Sequence, residues 1–108
     1  GPALETLFLQ QVRALNDYKG LDYRLHYWRT ASGDEVDFVL YGERGLRAFE
    51  VKMAHNVRPD DLRSLLRFRA DFPQAKAHLL YLGERRGHDR GIEVLPLLDC
   101  VRKLDQWL

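Results

Sequence analysis

The chain has 108 residues, 45% hydrophobic and 31% charged, which suits one compact domain and argues against disorder. No apolar run approaches the roughly 20 residues a membrane span needs, no signal-peptide pattern is present, and the single Cys100 excludes an internal disulfide and a cysteine-based zinc cluster. Net charge is +1, so bulk electrostatics announce no nucleic-acid binder, although 13 of the 17 basic residues are Arg, whose fork suits phosphate and carboxylate better than a Lys ammonium does.

Nothing here requires an oxidising compartment, so the expected location is the cytoplasm, with no membrane partner. The start Gly1-Pro2, without Met, reads as an excised piece of something longer.

The first element is a helix from about Ala3 to Asn16, because Leu4, Leu7, Phe8, Val12 and Leu15 recur at helical spacing. Glu5 falls inside that apolar arc, an unusual place for a carboxylate. Asp17 to Asp22 reads as a loop around Gly20. Arg24 to Thr30 is aromatic and strand-like, Glu35 to Tyr41 is a second strand, and Leu46 to Lys52 a third. Short turns between them predict an antiparallel meander.

Pro59 fits the first turn of a second helix, with Asp60 and Asp61 favourable near its N-terminus. Leu62, Leu65, Leu66 and Phe72 supply most of its apolar side, and Pro73 ends it. Ala77 to Leu82 carries no charge except a His and should be a central strand covered on both faces. Glu84 to Gly91 reads as a polar loop and Ile92 to Leu95 as a short strand. Leu97 to Leu108 reads as a last helix with Leu98, Val101, Leu104 and Leu108 inward. The expected order is αβββαββα, an α/β mixed sheet flanked by helices, in one domain over residues 1–108.

Strand periodicity brings the chemistry together. Glu50 and Lys52 are two apart and share a face, while Phe49 and Val51 point into a core. On the neighbouring strand Val36, Phe38 and Leu40 form the expected apolar face, with Asp37 opposite them beside Val39. Pairing those faces sets Asp37 across from Glu50 and Lys52, with Glu5 packed above. Three carboxylates cannot all stay ionised together at low cost. Lys52 offsets one charge, and a divalent cation would offset the rest. Mg2+ (or Mn2+) suits one or two carboxylates plus waters and phosphate oxygens. Asp37 and Glu50 are the expected direct ligands, with the Val51 carbonyl as a third. Lys52 would orient or deprotonate the attacking water, and Glu5 would hold a second metal or its water.

Asp37, twelve intervening residues, then Glu50-Val51-Lys52 resembles the Asp … Glu-x-Lys signature of the restriction-endonuclease-like PD-(D/E)XK nuclease superfamily. Glu5 matches the helical Glu often found upstream there. Gly1-x-x-x-Glu5, Tyr27-Trp28-Arg29-Thr30, Gly33-x-Glu35-Val36-Asp37-Phe38-Val39 and Phe49-Glu50-Val51-Lys52 narrow the resemblance. Together they are similar to the C-terminal domain of unknown function (DUF4143) of prokaryotic AAA+-type ATP-binding proteins. Two departures stand out: Val36 replaces the signature Pro, and the chain holds no phosphate-binding Gly-x-x-x-x-Gly-Lys loop. The resemblance implies a restriction-endonuclease-like core and a metal-dependent nuclease-like domain attached to an ATPase module that this chain lacks. It does not imply activity, because many relatives of that fold only bind.

Other residues carry weaker signals. Arg29 beside Trp28 reads either as a phosphate clamp or as a partner of Glu35 or Glu43, the latter preferred. Arg58, Arg63 and Arg67 on the second helix, with Arg85, Arg86 and Arg90 in the polar loop, read equally as a backbone-binding patch or a solvated face. His78 reads as a satisfied structural residue and Cys100 as core. The leading expectation is phosphodiester hydrolysis in DNA. Its rivals are an inactive nucleic-acid- or protein-binding regulatory module, and an assembly domain forming homo-oligomers through the last helix.

Overall fold

The computed structural model describes residues 2–107, with side chains from Glu5 onward. Gly1 of the family motif, the Leu4 side chain and Leu108 lie outside the described residues. The elements are α1 (Pro2–Lys19), β1 (Arg24–Arg29), β2 (Glu35–Gly42), β3 (Gly45–Lys52), a 3-10 turn (Pro59–Leu62), α2 (Arg63–Asp71), β4 (Lys76–Tyr81), β5 (Gly87–Asp89), β6 (Ile92–Pro96) and α3 (Leu97–Trp107). The strands form one mixed sheet in the order β1-β2-β3-β4-β6-β5. β1, β2 and β3 are the antiparallel meander, and β4 and β6 run parallel to β3.

Two corrections apply to the expected order. The polar loop contains β5, three exposed residues that pair antiparallel onto the edge of β6, with His88 opposite Glu93. Its composition hides it, because an exposed edge strand needs no apolar face. The first helix also continues to Lys19, whose ammonium pairs with Asp105 of α3 at 2.9 Å. Gly20 ends it in the left-handed conformation (φ 61°), which glycine adopts without steric cost.

The sheet buries both faces. On one side α1 and α3 cover Leu40, Phe49, Leu80 and Leu95 with Phe8, Val12, Cys100 and Leu104. The Phe8 ring stands 5.4 Å from Phe38 and 5.3 Å from Phe49. On the other side α2 and the 3-10 turn cover Val36, Val39, Ala48, Ala77 and Leu79 with Leu62, Leu65 and Phe68. Phe68, 2% exposed, does the work that the sequence assigned to Phe72, which is 37% exposed. Leu7 and Leu98, expected inward, are exposed as well. β4 lies inside the sheet and is buried on both faces, as its apolar run predicts. Among the described residues no helix is long and apolar enough to cross a membrane.

Candidate active site

The site forms where β2 and β3 part. Their ladder runs from the Gly42–Gly45 hairpin to the Phe38–Phe49 pair. On its other edge β2 meets β1 with a slip: His26 faces Val39 and Trp28 faces Val36, so Asp37 and Phe38 together oppose Tyr27. This is a β-bulge, and it overturns the expected alternation. Val36 and Val39 point to the α2 side, while Phe38 and Leu40 point to the α1 side. A bulge adds one residue to one strand, so the apolar phase flips in mid-strand without any visible break in the sequence.

Asp37 occupies that bulge, and its Oδ2 accepts the Val51 backbone N–H at 2.8 Å. The carboxylate thus takes a β3 donor that a β2 carbonyl would have met in a continuous ladder. Glu50 and Lys52 lie on the α2 side with Ala48, as period-two alternation requires. Glu50 is half-buried, and its Oε2 is enclosed without a hydrogen-bond partner among the described residues.

Electrostatics agree with the crowding. Burial, then the negative charges of Asp37 and Asp61, push the Glu50 carboxyl up to about 8, against a smaller opposing pull from Lys52. Burial also raises Asp37, with the Val51 amide opposing and Glu5 and Glu35 adding to the rise. The Glu5 charge on α1 is thus felt at Asp37. Lys52 pairs with Asp61 at 3.3 Å. The Arg58 amide, 2.8 Å from Asp61 Oδ2, holds the Asp61 carboxyl below the usual range, with Lys52 adding to the effect.

Asp61 is the site residue that sequence reasoning missed. Pro59-Asp60-Asp61 signals a helix start and no more, and only the fold brings that turn over the end of β3. Val51 contributes its amide to Asp37, and its side chain points to the α1 face. The basic residues do not gather at the acids as one cluster. Arg29 is exposed, 3.4 Å from Glu35, and its guanidinium lies 5.1 Å from the Tyr27 ring centre. Arg63 is paired with Asp34 at 3.3 Å, and Arg67 is exposed on α2. Arg58 and Arg85 line a cavity of about 270 Å3 next to Tyr81, the β4 neighbour of Lys52.

Among the described residues no three His, Cys, Asp or Glu side chains are placed to hold a metal ion by themselves. The donor set therefore does not suit a dedicated all-protein cage. It does suit a hard cation that takes one or two carboxylates and completes its shell with water and substrate oxygens, as Mg2+ does. An enclosed carboxylate oxygen lacking a partner, beside a second raised carboxyl, is the polar environment such a cation would complete.

No curated protein and no solved structure matches the chain. A family model described as "Domain of unknown function (DUF4143)" matches residues 1–100. Bulge, helical Glu and Glu-x-Lys strand all fall inside those residues, and by that match the chain belongs to the DUF4143 family.

Proposed function

We propose that this domain is a metal-dependent nuclease-like module with a restriction-endonuclease-like core, whose reaction is phosphodiester hydrolysis in DNA. One observation carries the reading. At a break in the sheet two carboxyl groups are both raised by burial, the charge of Asp37 adds to the rise at Glu50, and Glu50 has an enclosed oxygen without a partner among the described residues. A purely structural pair would be costly and would gain nothing. The Asp … Glu-x-Lys spacing supports the same reading, as does the ammonium on the Glu50 face.

Asp37 and Glu50 would hold Mg2+ or Mn2+, with the Val51 carbonyl as a further donor. The ion would neutralise phosphate charge and acidify a water. Lys52 would place its amine at the end of β3 and orient a water there. Asp61 tethers that amine, and Glu5 adds negative charge at the bulge. Arg58 and Arg85, in the adjoining cavity, would steady the nucleic-acid backbone.

The Lys52–Asp61 pair favours a second reading. An amine engaged by a carboxylate outside the Asp37–Glu50 pair also suits a domain that has kept the fold and lost turnover. Such a module would bind a nucleic acid or a protein as the regulatory part of an AAA+-type ATPase.

Metal-dependent plasmid nicking separates the two. The nuclease reading expects nicking with Mg2+ or Mn2+, none in EDTA, and none in Lys52→Ala or Glu50→Ala. It also expects a metal-induced rise in Tm that Glu50→Ala abolishes. A Tm indifferent to metal in both proteins would overturn it in favour of the binding module.

A further inference from the structure

The other end of β3 carries a second polar cluster, which the proposed reaction does not use. From Arg47 to Lys52 the strand spans roughly 16 Å at about 3.3 Å per residue, so the two clusters are separate sites. His78 lies beside Arg47 and is 4% exposed. Its ring stacks against both Phe49 and Trp107, with centroids 4.9 and 4.5 Å away, and the centroids of those two rings lie 6.2 Å from one another. Its Nδ1 is 2.8 Å from Glu93 Oε1, and its Nε2 is 3.1 Å from Arg47 Nη1. A guanidinium can only donate, so Nε2 accepts and Nδ1–H donates to Glu93. This chain fixes the direction of Arg47, whose guanidinium lies 4.8 Å from the Trp107 ring centre.

Arg47, His78, Glu93 and Trp107 line a cavity of about 370 Å3, together with Arg69 and Lys76. Arg69 is held by main-chain oxygens: Nε donates to Ala75 at 3.1 Å and Nη1 to Gly91 at 3.2 Å. Gly91 permits this approach, since a Cβ there would come within 2.2 Å of Arg69 Nη1. Among the described residues no carboxylate stands within ion-pair distance of Arg47, Arg69 or Lys76. The one acid of the cavity, Glu93, is engaged by His78, and His88 stands 4.0 Å from its other oxygen. A guanidinium has five N–H donors, and the contact to His78 leaves most of those on Arg47 available.

We infer that this cavity binds a phosphate monoester, with Arg47 and Lys76 supplying the donors, the backbone-held Arg69 adding positive charge, and Trp107 forming its wall. Three cations against one occupied carboxylate suit a dianion better than a carboxylate or a phosphodiester, each of which carries a single charge. Planar, pre-oriented guanidinium groups are the donors that match phosphate oxygens. The group could belong to a small metabolite or to the phosphorylated end of a nucleic-acid strand, and both offer the same chemistry to the cavity.

The test is a titration of 15N-labelled protein, read at the indole N–H resonances of Trp28 and Trp107. Loss of one signal in Trp107→Phe assigns them. Inorganic phosphate at constant ionic strength should shift the Trp107 signal saturably and leave Trp28 in place. Lys76→Ala, at an exposed position, should weaken that binding about tenfold, the loss of one charge-assisted contact. Arg47→Gln should abolish it, and if that variant does not fold, Lys76→Ala still decides. Tighter binding of ribose 5-phosphate than of phosphate identifies a small-molecule source. A shift caused by a 5′-phosphorylated oligonucleotide but not by its unphosphorylated twin identifies a strand end. No saturable shift with any of these probes, or undiminished binding in Lys76→Ala, overturns the inference. Because Lys52 and Glu50 are untouched, the outcome is independent of whether the domain cuts DNA.

Discussion

The state of Glu50 is open to a direct thermodynamic test. Its carboxyl ionises near 4.5 in an unfolded chain and near 8 in the folded protein. The folded state therefore keeps a proton that the unfolded state releases between those values. By linkage, native stability is fully present below about pH 4.5 and is lost as pH rises toward 8, at up to about 1.4 kcal/mol per pH unit. Glu50 is only half-buried, so solvent screening reduces the total to on the order of 3 kcal/mol. Glu50→Gln keeps the shape and removes the ionisation. In EDTA the variant should match wild type near pH 5 and exceed it by about 3 kcal/mol at pH 8.5. For a domain of this size that is about 10 °C in Tm, at roughly 4 °C per kcal/mol. Saturating Mg2+ at pH 8.5 should then stabilise wild type and leave Glu50→Gln unmoved, because the cation replaces the missing partner of Oε2. Urea unfolding at the two pH values measures the difference. A wild-type-minus-variant gap that is constant with pH, or that closes as pH rises, would refute the reasoning.

Three further outcomes follow from the same geometry. Lys52→Ala should change stability by less than about 1 kcal/mol in thermal unfolding, since the Lys52–Asp61 pair is solvent-facing; a larger loss would mean that the amine holds the fold. Asp37→Ala leaves the Val51 amide without its acceptor and should cost about 1–3 kcal/mol, whereas Asp37→Asn keeps an acceptor oxygen and should cost less, as comparative denaturation would show. Burial in the aromatic stack, then repulsion from Arg47, hold the His78 imidazole below the usual range against the pull of Glu93, so it stays neutral as pH falls through 6.5. The stability that this neutral form provides is present above pH 6.5 and is lost below it. An imidazole NMR signal assigned through His78→Asn should be flat down to about pH 6, and titration above 6.5 would contradict the stacked, hydrogen-bonded arrangement.

Much of the fold was legible because its segments carry strong periodic signals. The chargeless run around Leu79 and Leu80 could only be an interior strand, and Phe8 with Val12 could only face inward. What escaped was whatever does not express itself as period. The β5 strand is made of Gly, His and Asp, and it exists because the edge of β6 offers it unpaired backbone groups. Phe68 was overlooked in favour of Phe72, which lies just past the last residue of α2 and so turns outward. The site was legible in part for the same reason. Glu50 and Lys52 share a face by strict alternation. Asp37 was expected across from them in a flat pairing; it sits instead in a bulge, bonded to the Val51 amide, and its charge acts on Glu50.

That difference bears on how the acids are held. In a flat ladder, Asp37 would project from one face of the sheet into the packing beneath a helix, where Val36 and Val39 now lie apart from Phe38 and Leu40. A carboxylate there would be buried without a donor, at a cost of several kcal/mol. The β2–β3 ladder ends at Phe38–Phe49, level with the bulge against β1, and there the Val51 amide meets Asp37. Glu50 lies on β3 just beyond the last β2–β3 pair, with one carboxyl oxygen enclosed and unpartnered among the described residues. Asp37 is thereby fixed by a main-chain donor while Glu50 keeps an oxygen in reserve. One residue inserted into one strand thus accommodates the first acid beside a second whose enclosed oxygen has no partner among the described residues, so the irregularity of the sheet and the electrostatics of the two acids belong together.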